Sequence, residues 1–140
     1  MKKPRNRPKA GPPISSEQNA RLQQAIHAHS AGSVAAAEAA YRALVDENVQ
    51  SPDLYCKLAL ICVRSARRDE ADVLWERALT IDPNFLEAQM NLADSAQLAG
   101  DIERASAIYR QVIASHKDFY IARYMLANIL KSQGKMGEAS

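Results

Sequence analysis

The 140-residue chain is long enough for one modest core and too short for two ordinary domains. Its 47% apolar and 24% charged residues are globular proportions, and 6% aromatics with only five glycines argue against a sandwich or barrel of short strands. The formal +2 hides an asymmetry: Lys2, Lys3, Arg5, Arg7 and Lys9 put +5 into the first nine residues, so residues 10–140 carry 13 cationic against 16 acidic side chains, and a body at −3 is a poor nucleic-acid surface.

Residues 1–15 are basic, Pro-rich and almost free of apolar runs, which predicts a disordered tail. Pro4, Pro8, Pro12 and Pro13 interrupt any signal-peptide core, and no stretch offers the roughly 20 apolar residues of a membrane span. Nucleic acid or anionic lipid would have to meet this tail, yet no aromatic residue is interleaved to stack on bases. Ser15, Ser16, Glu17 and Gln18 then form an N-cap signal for a first helix. In that helix His27 and His29 lie two apart, roughly 200° around the axis, so they cannot share a metal. They read as solvated surface side chains.

Ser51-Pro52 opens a second unit, because a residue before proline avoids helical geometry. Its first helix holds both cysteines, Cys56 and Cys62, six apart and roughly 240° around the axis. They point away from each other, so they read as reduced, packed thiols, which places the chain in the cytoplasm or another reducing compartment. Asp82-Pro83 stops the following helix. A third unit covers residues 86–119, with Gly100 ending its first helix and His116 alone in a loop. The fourth, residues 120–140, reaches Gly134 and only the start of a second helix.

These units are one pattern repeated at an offset of 34 residues. Without any insertion, columns read Ala25, Ala59, Ala93, Ala127; Gly32, Ala66, Gly100, Gly134; Ala37, Ala71, Ala105, Ala139; and Tyr41, Trp75, Tyr109. Alanine at fixed positions lets two backbones approach, glycine takes the left-handed turn between them, and the ring fills the gap to the next hairpin. The expected fold is all-α.

This pattern resembles the tetratricopeptide repeat family over roughly residues 18–140. The second unit matches best, through Tyr55, Leu58, Ala59, Cys62, Ala71, Trp75, Ala78 and Pro83. The third follows with Leu92, Ala93, Ala96, Gly100, Ala105 and Tyr109, but has Gln89 and Lys117 where a large residue and proline are usual. Arg21 and Gln24 make residues 16–51 a degenerate capping repeat. The resemblance implies a right-handed superhelix of about three and a half repeats whose first helices line a concave groove. The uncovered face of the fourth unit implies a chain that continues, or a surface for self-association.

Nothing in the sequence assembles a catalytic or metal constellation: there is no phosphate loop and no nucleophile elbow. Asp46-Glu47 and Asp69-Glu70 fall at helix ends. No enzyme activity, metal or cofactor is expected. The resemblance instead implies groove residues Leu22, Ile26, Asp53, Cys56, Leu60, Val63, Glu87, Met90, Asn91, Asp94, Tyr124 and Asn128, facing a protein or peptide partner with apolar anchors and some positive charge. The family's Lys/Arg/Asn clamp for acidic C-termini is absent, since Leu22 and Ile26 stand in its place and Glu87 would repel a carboxylate. The segments DPNFLEAQMNLA and LANILKSQGKMGEA look like the repeats of O-linked N-acetylglucosamine transferases. Their asparagine ladder is matched here only by Asn91, in a column reading Gln23, Lys57, Asn91, Met125. The expected role is a non-catalytic interaction module, with an adaptor region of such a transferase as the alternative.

Overall fold

The computed structural model describes residues 11–138. The expected disordered tail therefore lies mostly outside the described residues, as does Ala139. Seven helices and no strand occur among them: α1 (Ser16–Ser30), α2 (Val34–Asp46), α3 (Pro52–Arg64), α4 (Arg68–Ile81), α5 (Leu86–Leu98), α6 (Ile102–Ser115) and α7 (Tyr120–Glu138). The helices pair as α1/α2, α3/α4 and α5/α6, and each even helix also packs on the next odd one. α3 additionally reaches α5.

Local sequence sets each boundary. Ser15 caps α1 in a reciprocal box with Gln18, whose side chain returns to the Ser15 N–H at 3.1 Å. Ser51 caps α3, and Pro52 occupies its first turn. Four helices end alike: Gly32, Asn48, Ala66 and Gly100 all take positive φ. In each, the following N–H reaches back five residues, as Ser33 to Ala28 O (2.9 Å) and Arg67 to Cys62 O (2.7 Å). This is the Schellman closure, which satisfies carbonyls that the helix leaves open.

Two expectations need correction. Gly134 does not end its helix, because α7 runs unbroken from Tyr120 to Glu138. A reversal there would give up helix hydrogen bonds, and no second helix packs back among the described residues to compensate, whereas glycine inside a helix costs only about 1 kcal/mol. His116 is not an isolated loop residue either. Its Nε2 lies 2.9 Å from Asn84 O and 3.1 Å from Gln89 Oε1, so it donates to acceptors and ties the α6–α7 loop to the α4–α5 loop. The same contact accounts for a buried Gln89 at a position where the resemblance expects a large apolar residue: its own amide donates to Pro83 O at 3.2 Å.

The repeat columns form the core. Ala25, Ala59 and Ala93, Ala37, Ala71 and Ala105, and the rings of Tyr41, Trp75 and Tyr109 are all buried. Ala127 is exposed, because no helix covers that side of α7 among the described residues. Buried residues fall into two clusters, one from Leu22 to Leu92 and one from Ala93 to Ile129. Both cysteines are buried free thiols. Ion pairs bind the even helices to their neighbours: Glu38 of α2 accepts both Arg67 guanidinium nitrogens at 3.0 Å and Arg42 Nε at 2.9 Å, while Arg42 also meets Glu70 at 2.8 Å.

Candidate functional site

The odd helices present their side chains to a common face, and the repeat spacing decides which of them stay accessible. Along the column Leu22, Cys56, Met90, Tyr124, the first two are buried, the third half-buried and the last 67% exposed. The gradient has a simple cause. α3 is flanked by α2, α4 and α5, whereas α7 packs chiefly on α6 among the described residues. Leu22 and Cys56 were expected to line the groove and do not; they belong to the first core cluster. Burial, with Glu87 and Asp53 nearby, pushes the Cys56 thiol far above its ordinary range, so it is inert at neutral pH.

The other expected residues remain reachable. Ile26, Asp53, Leu60, Val63, Glu87, Met90 and Asn91 are half-buried, while Asp94 and Asn128 are exposed with Tyr124. Ile26 and Leu60 line one cleft between inner helices, and Asn128 lines another. The first cleft, of about 350 Å³, lies between α1 and α3 and is lined by Ile26, His29, Ser30, Lys57, Leu60 and Arg64. His29 is half-buried rather than solvated: its Nδ1 sits 3.3 Å from the Tyr41 hydroxyl, and the rings meet edge-on at 6.0 Å. Burial, then the charges of Arg64 and Lys57, lowers the His29 pKa, so this cleft is a positive environment before any ligand arrives. Among the described residues Lys57 has one ion-pair partner, Asp53, at 3.9 Å.

Further along, the field reverses. Asp94 accepts a 2.8 Å hydrogen bond from the Tyr109 hydroxyl, whose pKa rises through burial and this carboxylate. Gln97 Oε1 lies 3.3 Å from the same hydroxyl. The ring column thus finds polar partners on the inner helix in the first and third units. In the second, Leu60 and Val63 occupy the equivalent places, and the buried Trp75 Nε1–H has no partner among the described residues. A further cleft, of about 610 Å³ and mainly apolar, opens between the α5–α6 turn and α7, lined by Gln97, Ile102, Asn128, Ile129, Ser132 and Gln133.

Sequence reasoning did not single out Lys57 and Arg64 as a pair with His29. The signal was present: they stand one position after the groove columns, on the side of α3 that faces α1. Of the C-terminal side chains of the larger cleft, Asn128 is among the expected groove residues, while Ser132 and Gln133 fall outside the repeat's groove columns. α7 does expose apolar side chains on the face left uncovered among the described residues, Tyr120 at 69% and Ile121 at 55% with Leu130 and the groove-column Tyr124. Among the described residues no three His, Cys, Asp or Glu side chains converge to hold a metal, and no helix is long and apolar enough to cross a membrane.

Comparison with known proteins gives the same architecture. Two models described as tetratricopeptide repeat match residues 52–85 and 90–139, together more than half of the chain. The first tetratricopeptide repeat domain of Spaghetti (RPAP3), solved bound to an HSP90 peptide, superposes with a TM-score of 0.74 at 16% identity, covering 89% of this chain and 99% of that one. The Sgt2 repeat domain from Aspergillus fumigatus gives 0.73 at 16% identity, over 91% of this chain and 88% of that one. By sequence, a curated relative named Uncharacterized protein ycf37, from Pyropia yezoensis, is 30% identical over 70 residues, which is 50% of this chain but only 39% of the relative.

Proposed function

Since this chain belongs to the tetratricopeptide repeat family, we propose that it is a non-catalytic module that docks a segment of a protein partner along the inner face of α1, α3, α5 and α7. The observation that carries this reading is the row of accessible apolar side chains, Ile26, Leu60, Val63 and Met90, set beside carboxylates and cations on consecutive inner helices. Rigid hairpins hold these side chains in place, so a flexible partner loses entropy on docking while the receptor loses little. Domains of the same fold, such as the Spaghetti domain with its HSP90 peptide, support a peptide as ligand. The glycosyltransferase alternative gains no support, since Asn91 alone satisfies the ladder column. The buried free thiols suit a reducing compartment such as the cytoplasm.

Leu60→Glu tests the proposal. Leu60 is half-exposed, so the variant keeps its helical circular dichroism, while capture of the partner by the module in a pull-down is lost. Unchanged capture would move the site off the inner face. The uncovered apolar face of α7, which includes the groove-column Tyr124, gives the same module a route to self-association. Light scattering over a dilution series should show a dimer that Tyr124→Glu converts to monomer; a monomer at every concentration would remove that route.

A further inference from the structure

Charge along the inner face changes with position, and helix dipoles explain only part of it. Asp53 and Glu87 lie in first turns, and His29 and Arg64 in last turns, where acids and bases respectively stabilise their own helices. Lys57 and Asp94 lie mid-helix, where the dipole offers them nothing. Lys57 adds a second cation to Arg64 in the cleft beside His29, against the carboxylate of Asp53 at 3.9 Å. Asp94 puts a negative charge further along, on α5, one turn before Gln97 in the wall of the mainly apolar cleft of about 610 Å³ that also holds Ile102 and Ile129. The inner face therefore offers a cationic cleft and, further along, an apolar cleft with a carboxylate at its near edge.

Deepening the peptide-docking reading above, on which it rests, we infer that the partner segment is extended and places an Asp or Glu side chain between α1 and α3 and a bulky apolar side chain between α5 and α7. A basic or uncharged residue passes Asp94 between them. The carboxylate meets Lys57 and Arg64, with His29 Nε2 as a third donor while Nδ1 stays with the Tyr41 hydroxyl. Lined by six side chains, the first cleft has room for one acidic side chain and its apolar stem against Ile26 and Leu60. Packed helices sit about 8–10 Å apart, so two repeat steps span roughly 20 Å. An extended chain rises about 3.3 Å per residue, which sets the two anchors about six residues apart.

His29 gives this arrangement a pH signature. The groups facing it are Tyr41 from α2 and Lys57 and Arg64 from α3. In the free module burial and then the two cations hold its pKa down; a bound carboxylate opposes the cations and raises it. The complex then takes up a proton, so affinity strengthens as the pH falls through the histidine range.

A random twelve-residue peptide library displayed on phage, selected against the whole chain, tests the inference. The expected winners share an acidic residue and a large apolar residue about six positions apart, in one direction. In fluorescence anisotropy with a labelled winner, Lys57→Glu with Arg64→Glu weakens binding at least tenfold, and exchanging the peptide's acid for Lys restores it. Ser132→Trp, which fills the apolar cleft, weakens winners but not versions whose apolar anchor is Gly. Winners that are lost with Leu60→Glu yet show no acidic preference, or tolerate the charge reversal, overturn the inference and leave groove docking intact. A library that yields no binder, or binders indifferent to Leu60→Glu, overturns both.

Discussion

Trp75 shows how much one side chain carries in a short array. It is buried between the second hairpin and α5, and it stands where Tyr41 and Tyr109 stand in their own units. Its indole N–H has no partner among the described residues, so its contribution is almost wholly packing. Trp75→Ala should cost about 3–5 kcal/mol, the range for large aromatic truncations in cores, and thermal unfolding followed by circular dichroism measures it. An unchanged melting temperature would place the ring outside the core. Glu38 carries a different kind of load. Arg67 and then Arg42 hold its carboxyl down from the usual 4.5 to about 2. Because the folded value is depressed, its stabilisation is present above 4.5 and is lost as the pH falls towards 2. Glu38→Gln, a change worth about 1 kcal/mol at neutral pH for a half-exposed network, should lower the melting temperature at pH 7. The gap to the parent protein should close on acidification. A gap that is constant from pH 7 to pH 2 would deny the ion pairs any role.

The four helix ends closed by a left-handed residue use three residue types, and only two of them are glycine: Gly32 and Gly100, against Asn48 and Ala66. Asparagine tolerates that geometry, whereas alanine at φ 61° crowds its Cβ against the following carbonyl. Ala66→Gly should therefore raise stability by about 1 kcal/mol, read as a higher denaturation midpoint with an unchanged slope. A lower midpoint would show that the Ala66 methyl makes contacts that outweigh the strain. The element pattern was legible because apolar spacing, Ser and Pro starts, and glycine ends recur at one interval, so each unit checks the others. It misled at Gly134. That column marks a turn only where a second helix packs back, and a local signal without its tertiary reward lets the helix run on. The groove was less legible for a related reason. Leu22, Cys56, Met90 and Tyr124 share a column and a chemistry, yet their exposure depends on whether another inner helix follows, which no single unit records. Lys57 and Arg64 escaped notice because each belongs to the space between units, and repeat columns describe units.

Across the whole molecule, burial is uneven in a way that follows from stacking in one dimension. The core divides at α5: Ala88 and Leu92 pack with the first two hairpins, while Ala93 and Ala96 pack with α6 and α7. α3 is the best-sheltered element, with seven buried residues flanked by helices on both sides. Among the described residues α7 packs chiefly on α6, and its uncovered face holds Tyr120, Ile121, Tyr124 and Leu130 in solvent. In a linear array each unit draws stability from its own hairpin and from the interfaces to its neighbours, so a unit with one interface opens at lower free energy than a unit with two. Native-state hydrogen exchange should therefore find the slowest amides in α3 and α4 and the fastest helical amides in α7, with α6 intermediate. The two ends bury similar numbers of residues, Leu22 and Ala25 in α1 against Ala122, Leu126 and Ile129 in α7, so opening should start from α7 because the capping box and the bidentate contact from Arg21 to Glu47 fasten the first turns of α1. Arg21→Ala would loosen α1 and narrow that difference without changing exchange in α7. Equal protection in α7 and α3 would mean that the outer face of α7 is covered in solution, and the light-scattering series would then show whether a second copy covers it.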